Sequence, residues 1–160
     1  MIEKKYTYDY PRASITTDSI IFSFDDKDLK VLLIERAQEP CKGQWAFPGG
    51  FLDMDETAEA CAVRELEEET ALKELSLEQL GAFSALDRDP RGRTVTIAYI
   101  GVMDNVKDQK IKANDDAKSV AWFSLNELPD LAFDHADIMQ AALGRLKTKA
   151  RFRAIDLSVG

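Results

Sequence analysis

The chain of 160 residues predicts an α/β (α+β) protein built on a mixed β-sheet. Segments rich in β-branched and apolar residues alternate with stretches of Ala, Glu, Leu and Arg, so strands and helices interleave. Several strand segments are joined by connections of turn length, which suits hairpins and makes the sheet mixed. No internal repeat, low-complexity segment or Gly/Ser linker interrupts the pattern, and the length suits one domain spanning 1–160 with a substantial core.

Ala13 to Phe24 is the first strand and ends at the turn signal Asp25-Asp26; Leu29 to Glu35 is the second, and the pair forms a hairpin. Pro40, Cys41, Lys42 and Gly43 make a loop before Gln44-Trp45-Ala46-Phe47. Pro48-Gly49-Gly50 breaks any regular element. Thr57 caps a helix that runs to Thr70. Leu77 to Leu86 ends in a strand, and Thr94 to Met103 is the strongest strand of the chain. Ser119 to Phe123 is the last strand, anchored by Trp122. Asp134 caps a final helix through Lys147, with Ile138, Ala141, Ala142 and Leu146 as its apolar face.

Composition excludes several classes. A net charge of −8 leaves no basic footprint for general nucleic-acid binding, although divalent ions can hold a phosphorylated small molecule at an acidic site. No apolar run approaches a membrane span, and Met1-Ile2-Glu3-Lys4-Lys5-Tyr6 lacks the apolar core of a signal peptide. Cys41 and Cys61 have no metal-site spacing and read as reduced thiols of a cytoplasmic protein.

The chemistry concentrates in the first helix. From Asp53 to Glu69 there are eight acids and one base, Arg64. On a helical wheel Glu65, Glu68 and Glu69 fall within an arc of about 100°, while Val63, Leu66 and Thr70 lie on a different face suited to packing on the sheet. Glu65 and Glu69 are a like-charge i,i+4 pair, which costs a few tenths of a kcal/mol even when exposed. A Glu-rich helix is ordinarily a solvated face. Here the acids are not interspersed with lysines, and Pro-Gly-Gly feeds the helix with backbone able to approach closely. Clustered carboxylates of this kind suit hard oxygen-seeking cations, Mg²⁺ or Mn²⁺.

Gly50, Glu56, Arg64-Glu65-Leu66, Glu68-Glu69 and Leu72 resemble the signature box of the Nudix family, Gly-x5-Glu-x7-Arg-Glu-U-x-Glu-Glu-x-Gly-U with U a bulky aliphatic. The match covers 23 residues with one departure, Ala71 in place of glycine. That position often needs a left-handed backbone, at roughly 1–2 kcal/mol for alanine, and a modest shift in the helix end is expected there. The resemblance implies a mixed sheet sandwiched between helices and hydrolysis of a nucleoside diphosphate linked to another group. It also implies metal ligation by Glu65, Glu68 and Glu69 with the Gly49 carbonyl, and a Glu56 that reaches back to Arg64. A homodimer is implied as well.

Asp87-Arg88-Asp89-Pro90-Arg91-Gly92-Arg93 places three arginines in six residues. Alone it reads as a solvated turn whose arginines pair with their own aspartates. Beside the box, Arg88, Arg91 and Arg93 become a candidate anion clamp for substrate, or part of a dimer interface. The stretch also resembles a Nudix subgroup that includes ADP-ribose pyrophosphatases and the sensor domains of NAD-metabolism regulators. Those regulators carry an added winged helix, for which the residues after the final helix leave no room. The basic stretch Arg145, Lys147, Lys149, Arg151 and Arg153 reads as a solvated helix end.

Asp115 or Asp116, in a loop before the last strand, could supply a base or further ligand; a polar turn is an equally good reading. His135 reads as structural, and Trp45, Phe47, Trp122 and Phe133 as core or pocket wall. The expectation is a cytoplasmic hydrolase that splits ADP-ribose into AMP and ribose 5-phosphate, with Glu68 or Glu69, or else Asp115 or Asp116, deprotonating the water. The alternatives are a nucleoside triphosphate pyrophosphatase and a non-hydrolytic ADP-ribose-binding sensor.

Overall fold

A computed structural model describes residues 6–24, 28–104, 111–113 and 117–156, the last six of these by backbone alone. In chain order the elements are β1 (Ser14–Phe24), β2 (Leu29–Arg36), β3 (Trp45–Ala46), β4 (Gly49–Phe51), α1 (Ala58–Thr70), β5 (Glu78–Phe83), β6 (Thr94–Met103), β7 (Ala117–Ser124) and α2 (His135–Asp156). Seven strands form one mixed sheet: the path β3-β2-β1-β6-β5, with β4 paired to β1 and β7 paired to β2.

The spine is the parallel β1–β6 ladder, in register from Ser14↔Thr94 to Ser23↔Met103. Its side chains alternate between two apolar layers, as the two-residue strand period requires. Ile20, Phe22, Val31, Leu33, Ala98 and Ile100 pack with Ile138, Met139 and Ala142 of α2. Ile21 and Leu32 point the other way and pack with Leu66 of α1. The sheet is therefore covered by one helix on each face.

The β1–β2 hairpin is antiparallel only at its closed end, Phe22↔Val31 to Phe24↔Leu29. Beyond it the strands diverge, and the segment 45–51 fills the fork. β3 pairs with β2 through Ile34↔Ala46, and β4 pairs with β1 through Thr16↔Phe51 to Asp18↔Gly49. The Pro-Gly-Gly segment is thus not a simple break: Gly49 and Gly50 are strand residues. Glycine is required because a Cβ on Gly49 would sit 2.0 Å from the Thr17 carbonyl oxygen. One on Gly50 would sit 2.3 Å from Glu65 Oε1.

Two helix faces differ from the sequence expectation. Val63 of α1 is exposed, because the buried arc is centred on Ala62, Leu66 and Glu69, leaving Val63 at its margin. Ala141 of α2 is exposed as well; Met139 and Leu143 take its place in the apolar stripe. α2 also continues to Asp156, past the expected end at Lys147, and Arg145 and Lys149 both pair with Glu78 of β5. No helix among the described residues is long and apolar enough to cross a membrane.

Thr57 caps α1, its hydroxyl accepting from the Ala60 N–H at 3.2 Å. At the other end Ala71 adopts the left-handed conformation (φ 63°) that closes the helix, and its N–H donates to the Glu67 carbonyl at 2.8 Å. The alanine takes the backbone shape a glycine would take, without displacing the helix end. Replacing it should relieve that strain: Ala71→Gly is expected to stabilise the fold by about 1 kcal/mol, raising Tm by about 2–4 °C. A thermal melt in which the variant is no more stable than the parent would contradict the assignment.

Candidate active site

The fork in the sheet opens into a cleft of about 360 Å³, a volume within the range of small-molecule sites. β1 contributes Thr16 and Asp18, β2 contributes Ile34 and Arg36, and the wedge contributes Phe47, Gly49, Gly50 and Phe51. α1 closes one side with Arg64, Glu65 and Glu69; Arg88, Asp89, Arg91, Phe133 and His135 close the other.

On the α1 side, Arg64 is the hub. Its Nη2 and Nε donate to the two oxygens of Glu56, at 2.6 and 3.0 Å. Its Nη1 donates to Glu65 Oε1 at 2.7 Å and to Glu68 Oε2 at 3.2 Å. Nη2 also reaches the Phe51 carbonyl of β4 at 3.3 Å. The paired guanidinium holds the Glu56 carboxyl down to about 2.

Glu69 is different. It is 6% exposed, and among the described residues its side chain accepts one hydrogen bond, from the Gly49 N–H to Oε2 at 2.9 Å. Burial foremost, then the charges of Glu65 and Asp18, pushes its carboxyl up to about 8. Burial also raises Glu65, against the pull of Arg64.

The opposite wall is a buried polar network. Arg88 is buried and grips both oxygens of Asp134, at 2.9 and 2.7 Å, with Asp18 Oδ2 at 3.8 Å. Asp134 thus stands at the start of α2 with its carboxylate committed to Arg88; its backbone carbonyl accepts from the Ile138 N–H. Asp18 Oδ2 accepts from the Thr96 hydroxyl at 2.6 Å.

His135 Nδ1 accepts the Phe47 N–H at 3.0 Å, so its proton resides on Nε2, which faces Asp18 Oδ1 at 3.5 Å. Burial lowers its pKa and keeps the ring neutral. Arg91 is bidentate to Asp89 and lies over the Phe51 ring at 4.8 Å and near the Phe133 ring at 5.7 Å.

The structure brings Arg64, Glu65, Glu69, Gly49, Arg88 and Arg91 to the cleft. Glu68 stands at its edge, more exposed and turned to Arg64. Arg93 is not in the lining: its guanidinium holds the carbonyls of Ser84 and Ala85, closing the turn before β6. The expected clamp of three arginines is therefore one turn-closing residue and two ion-paired ones. Asp115 and Asp116 lie outside the described residues. Sequence reasoning passed over Asp18, Arg36 and Phe51. Asp18 carried a signal, a charge in the middle of a strand otherwise uncharged and buried. Arg36, at a strand end, carried none.

Among the described residues no three carboxylate, thiol or imidazole groups already converge on a point that could hold a metal ion. The chemistry of the donor set nevertheless fits a hard cation. Glu69 and Glu65 are both raised by burial, no guanidinium among the described residues is bonded to Glu69, and Glu68 lies on the same helix, bonded to Arg64. A cation would relieve the carboxylates where burial now favours their protonated forms.

A sheet between two helices, with a glutamate-bearing helix seated on a glycine strand, defines a Nudix domain. The NUDIX domain family model matches residues 15–142, and the chain belongs to the Nudix family. It is 44% identical over 137 residues to the ADP-ribose pyrophosphatase of Methanocaldococcus jannaschii, covering 86% of this chain and 76% of that protein. It is 39% identical over 156 residues to the ADPR responsive transcriptional repressor NtrR of Acinetobacter baylyi, covering 94% of this chain. The chain spans 61% of that repressor's length.

Among solved structures, the NUDIX domain of Shewanella oneidensis NrtR complexed with ADP ribose superposes with a TM-score of 0.80 at 34% identity. It covers 86% of this chain and 90% of that one. A bifunctional NMN adenylyltransferase/ADP ribose pyrophosphatase from Francisella tularensis, complexed with AMP and a Mn ion, gives 0.73 at 31%, covering 86% and 43%. Shewanella NrtR complexed with a 27mer DNA gives 0.70 at 34%, covering 85% and 63%, so the charge-based exclusion of nucleic acid does not extend to all relatives of the domain.

Two predictions test the site's electrostatics. Because the folded Glu69 carboxyl lies near 8 against an ordinary 4.5, the folded state binds the proton more tightly than the unfolded state across that window. Stability in EDTA should therefore fall as pH rises from 4.5 toward 8, and Glu69→Gln should flatten the slope; an unchanged slope in the variant would contradict the buried carboxyl. Arg88→Leu should leave the half-buried Asp134 carboxylate without its partner, costing about 1–3 kcal/mol in denaturant unfolding. A loss below about 1 kcal/mol would show that Arg88 is not structural.

Proposed function

We propose that the domain hydrolyses the diphosphate bond of a nucleoside diphosphate linked to another group, with ADP-ribose as the leading substrate and AMP and ribose 5-phosphate as products. One observation carries the reading: the same cleft brings the buried Glu69 and half-buried Glu65 of α1, pressed against a glycine strand, to face an arginine and aromatic wall. The ADP-ribose pyrophosphatase relative and the ADP ribose complex support the choice of substrate.

Glu65, Glu68 and Glu69, with the Gly49 carbonyl, are the residues to hold Mg²⁺ or Mn²⁺. The bound cation would neutralise phosphate oxygens and acidify a water. Arg64, itself held by Glu56, orients Glu65 and Glu68, and the Gly49 N–H orients Glu69. Glu68 or Glu69 accepts the proton of the attacking water. Asp115 and Asp116 stand as rivals for that role. Arg88, through Asp134, keeps the start of α2 and the His135–Phe47 contact in place, and so positions the far wall. A homodimer completes this reading.

The test is a panel of nucleoside diphosphate compounds with Mg²⁺ and with Mn²⁺, products identified by mass. AMP with ribose 5-phosphate from ADP-ribose is the expected result; pyrophosphate released from a triphosphate in preference would move the protein to another substrate class. Glu68→Gln and Glu69→Gln should each keep the fold by circular dichroism while turnover falls at least about 100-fold. Full activity in either variant would remove that residue's role. A cation-induced rise in Tm that Glu65→Gln and Glu69→Gln reduce would check metal holding independently of turnover.

The similarity to the Acinetobacter repressor favours a second reading, an ADP-ribose sensor. ADP-ribose binding in Mg²⁺ without turnover above background would select it.

A further inference from the structure

Four cationic side chains line the cleft: Arg36, Arg64, Arg88 and Arg91. Three of them are spent on carboxylates of the protein itself. Arg64 serves Glu56, Glu65 and Glu68; Arg88 is bidentate to Asp134; Arg91 is bidentate to Asp89. Arg36 alone has no ion-paired or hydrogen-bonded carboxylate among the described residues, although its charge reaches Glu69 and favours that carboxylate. Its Nε donates to the Pro40 carbonyl at 2.8 Å, and its guanidinium lies over the Phe133 ring at 4.9 Å. Those contacts fix the plane of the guanidinium and leave both Nη groups without a carboxylate among the described residues.

The local backbone explains how the side chain reaches the cleft. The β2–β7 register shifts between Glu35 and Arg36, an irregularity of the kind that re-aims a side chain. The preceding Glu35 is turned to Lys118 and Ser119, at 2.7 and 2.8 Å, and does not neutralise its neighbour. Phe133, which supports the Arg36 face, is held in the left-handed region (φ 54°), an unusual conformation for a bulky residue and one that seats its ring against both Arg36 and Arg91.

We propose that Arg36 is the anion-binding residue of the cleft, taking non-bridging oxygens of the ligand's diphosphate. A planar guanidinium with two outward Nη groups matches phosphate oxygens bidentately, and prior fixation by Pro40 and Phe133 lowers the ordering cost on binding. The assignment rests on the nucleoside diphosphate reading and adds to it the residue that recognises the anion. It moves that role from the arginine-rich turn to a strand end.

The test uses calorimetric titration of the full chain in Mg²⁺ with the non-hydrolysable α,β-methylene analogue of ADP-ribose, and with adenosine as an uncharged probe. Arg36→Met keeps an unbranched stem against Phe133; Arg36→Lys keeps charge without the fork. Analogue affinity should fall roughly 10- to 100-fold in Arg36→Met and less in Arg36→Lys, with adenosine affinity unchanged. In turnover, KM should rise more than kcat falls. Equal analogue affinity in parent and Arg36→Met would overturn the assignment while leaving the functional reading intact, and so would an equal loss for adenosine. Should Arg36→Met fail to fold, analogue affinity in Arg36→Lys equal to the parent would overturn it in the same way. A parent protein that binds no diphosphate analogue would sink the functional reading, and this inference with it.

Discussion

A single guanidinium organises the acidic helix. Arg64 ties Glu56, from the turn before α1, to Glu65 and Glu68 within α1 and to the Phe51 carbonyl of β4. An isolated surface ion pair contributes little. Here one partly buried cation joins three carboxylates and a strand carbonyl, so the loop, the strand and the helix share one fixed point. Without it the like charges on successive turns of α1 would repel across the i,i+3 and i,i+4 spacings. Glu69 stands outside this network, and burial raises its proton affinity as a result.

Apart from Arg36, the charges on the opposite wall of the cleft are matched in the same way. Asp134 and Asp89 are matched to Arg88 and Arg91, and Asp18 is held by Thr96 and faced by His135 and Arg88. Ion pairs with one buried partner hold geometry more than they add stability, because desolvation offsets their attraction. The Arg88–Asp134 pair joins the β5–β6 connection to the start of α2, and His135 joins α2 to Phe47 in the wedge. The wall opposite the glutamates is therefore a fixed scaffold, with Phe51 and Phe133 flanking Arg91 on its surface.

Much of the architecture was legible in the residues. β6 matches its segment of alternating β-branched and apolar residues, and Thr57 announces the start of α1. The acidic helix was legible because its chemistry is local: all its participants lie within 23 residues, and period and spacing alone place them on one face. What was not legible depended on distant partners. Arg88 looked like a free clamp because Asp134 lies 46 positions away. Pro48-Gly49-Gly50 looked like a break because its strand character comes from β1, against which only glycine fits. Val63 and Ala141 are apolar residues at the margins of their helical stripes, where period alone does not decide exposure. Arg36 gave no signal, since its role follows from the commitments of every other cation around it.

The forked sheet gives the two sides of the cleft unequal regularity. The β1–β6 side is a continuous parallel ladder of ten paired positions, with a helix packed on each face. The other side passes from β2 into the irregular stretch 37–44, turned by left-handed Cys41 and Gly43 and tied to the sheet at Arg36 and Pro40. A molecule lying across the fork would meet a repeating strand template at one end and an irregular loop at the other. A change in the sequence of 37–44 would therefore reshape one end of the cleft while leaving the β1 and β4 end as it is.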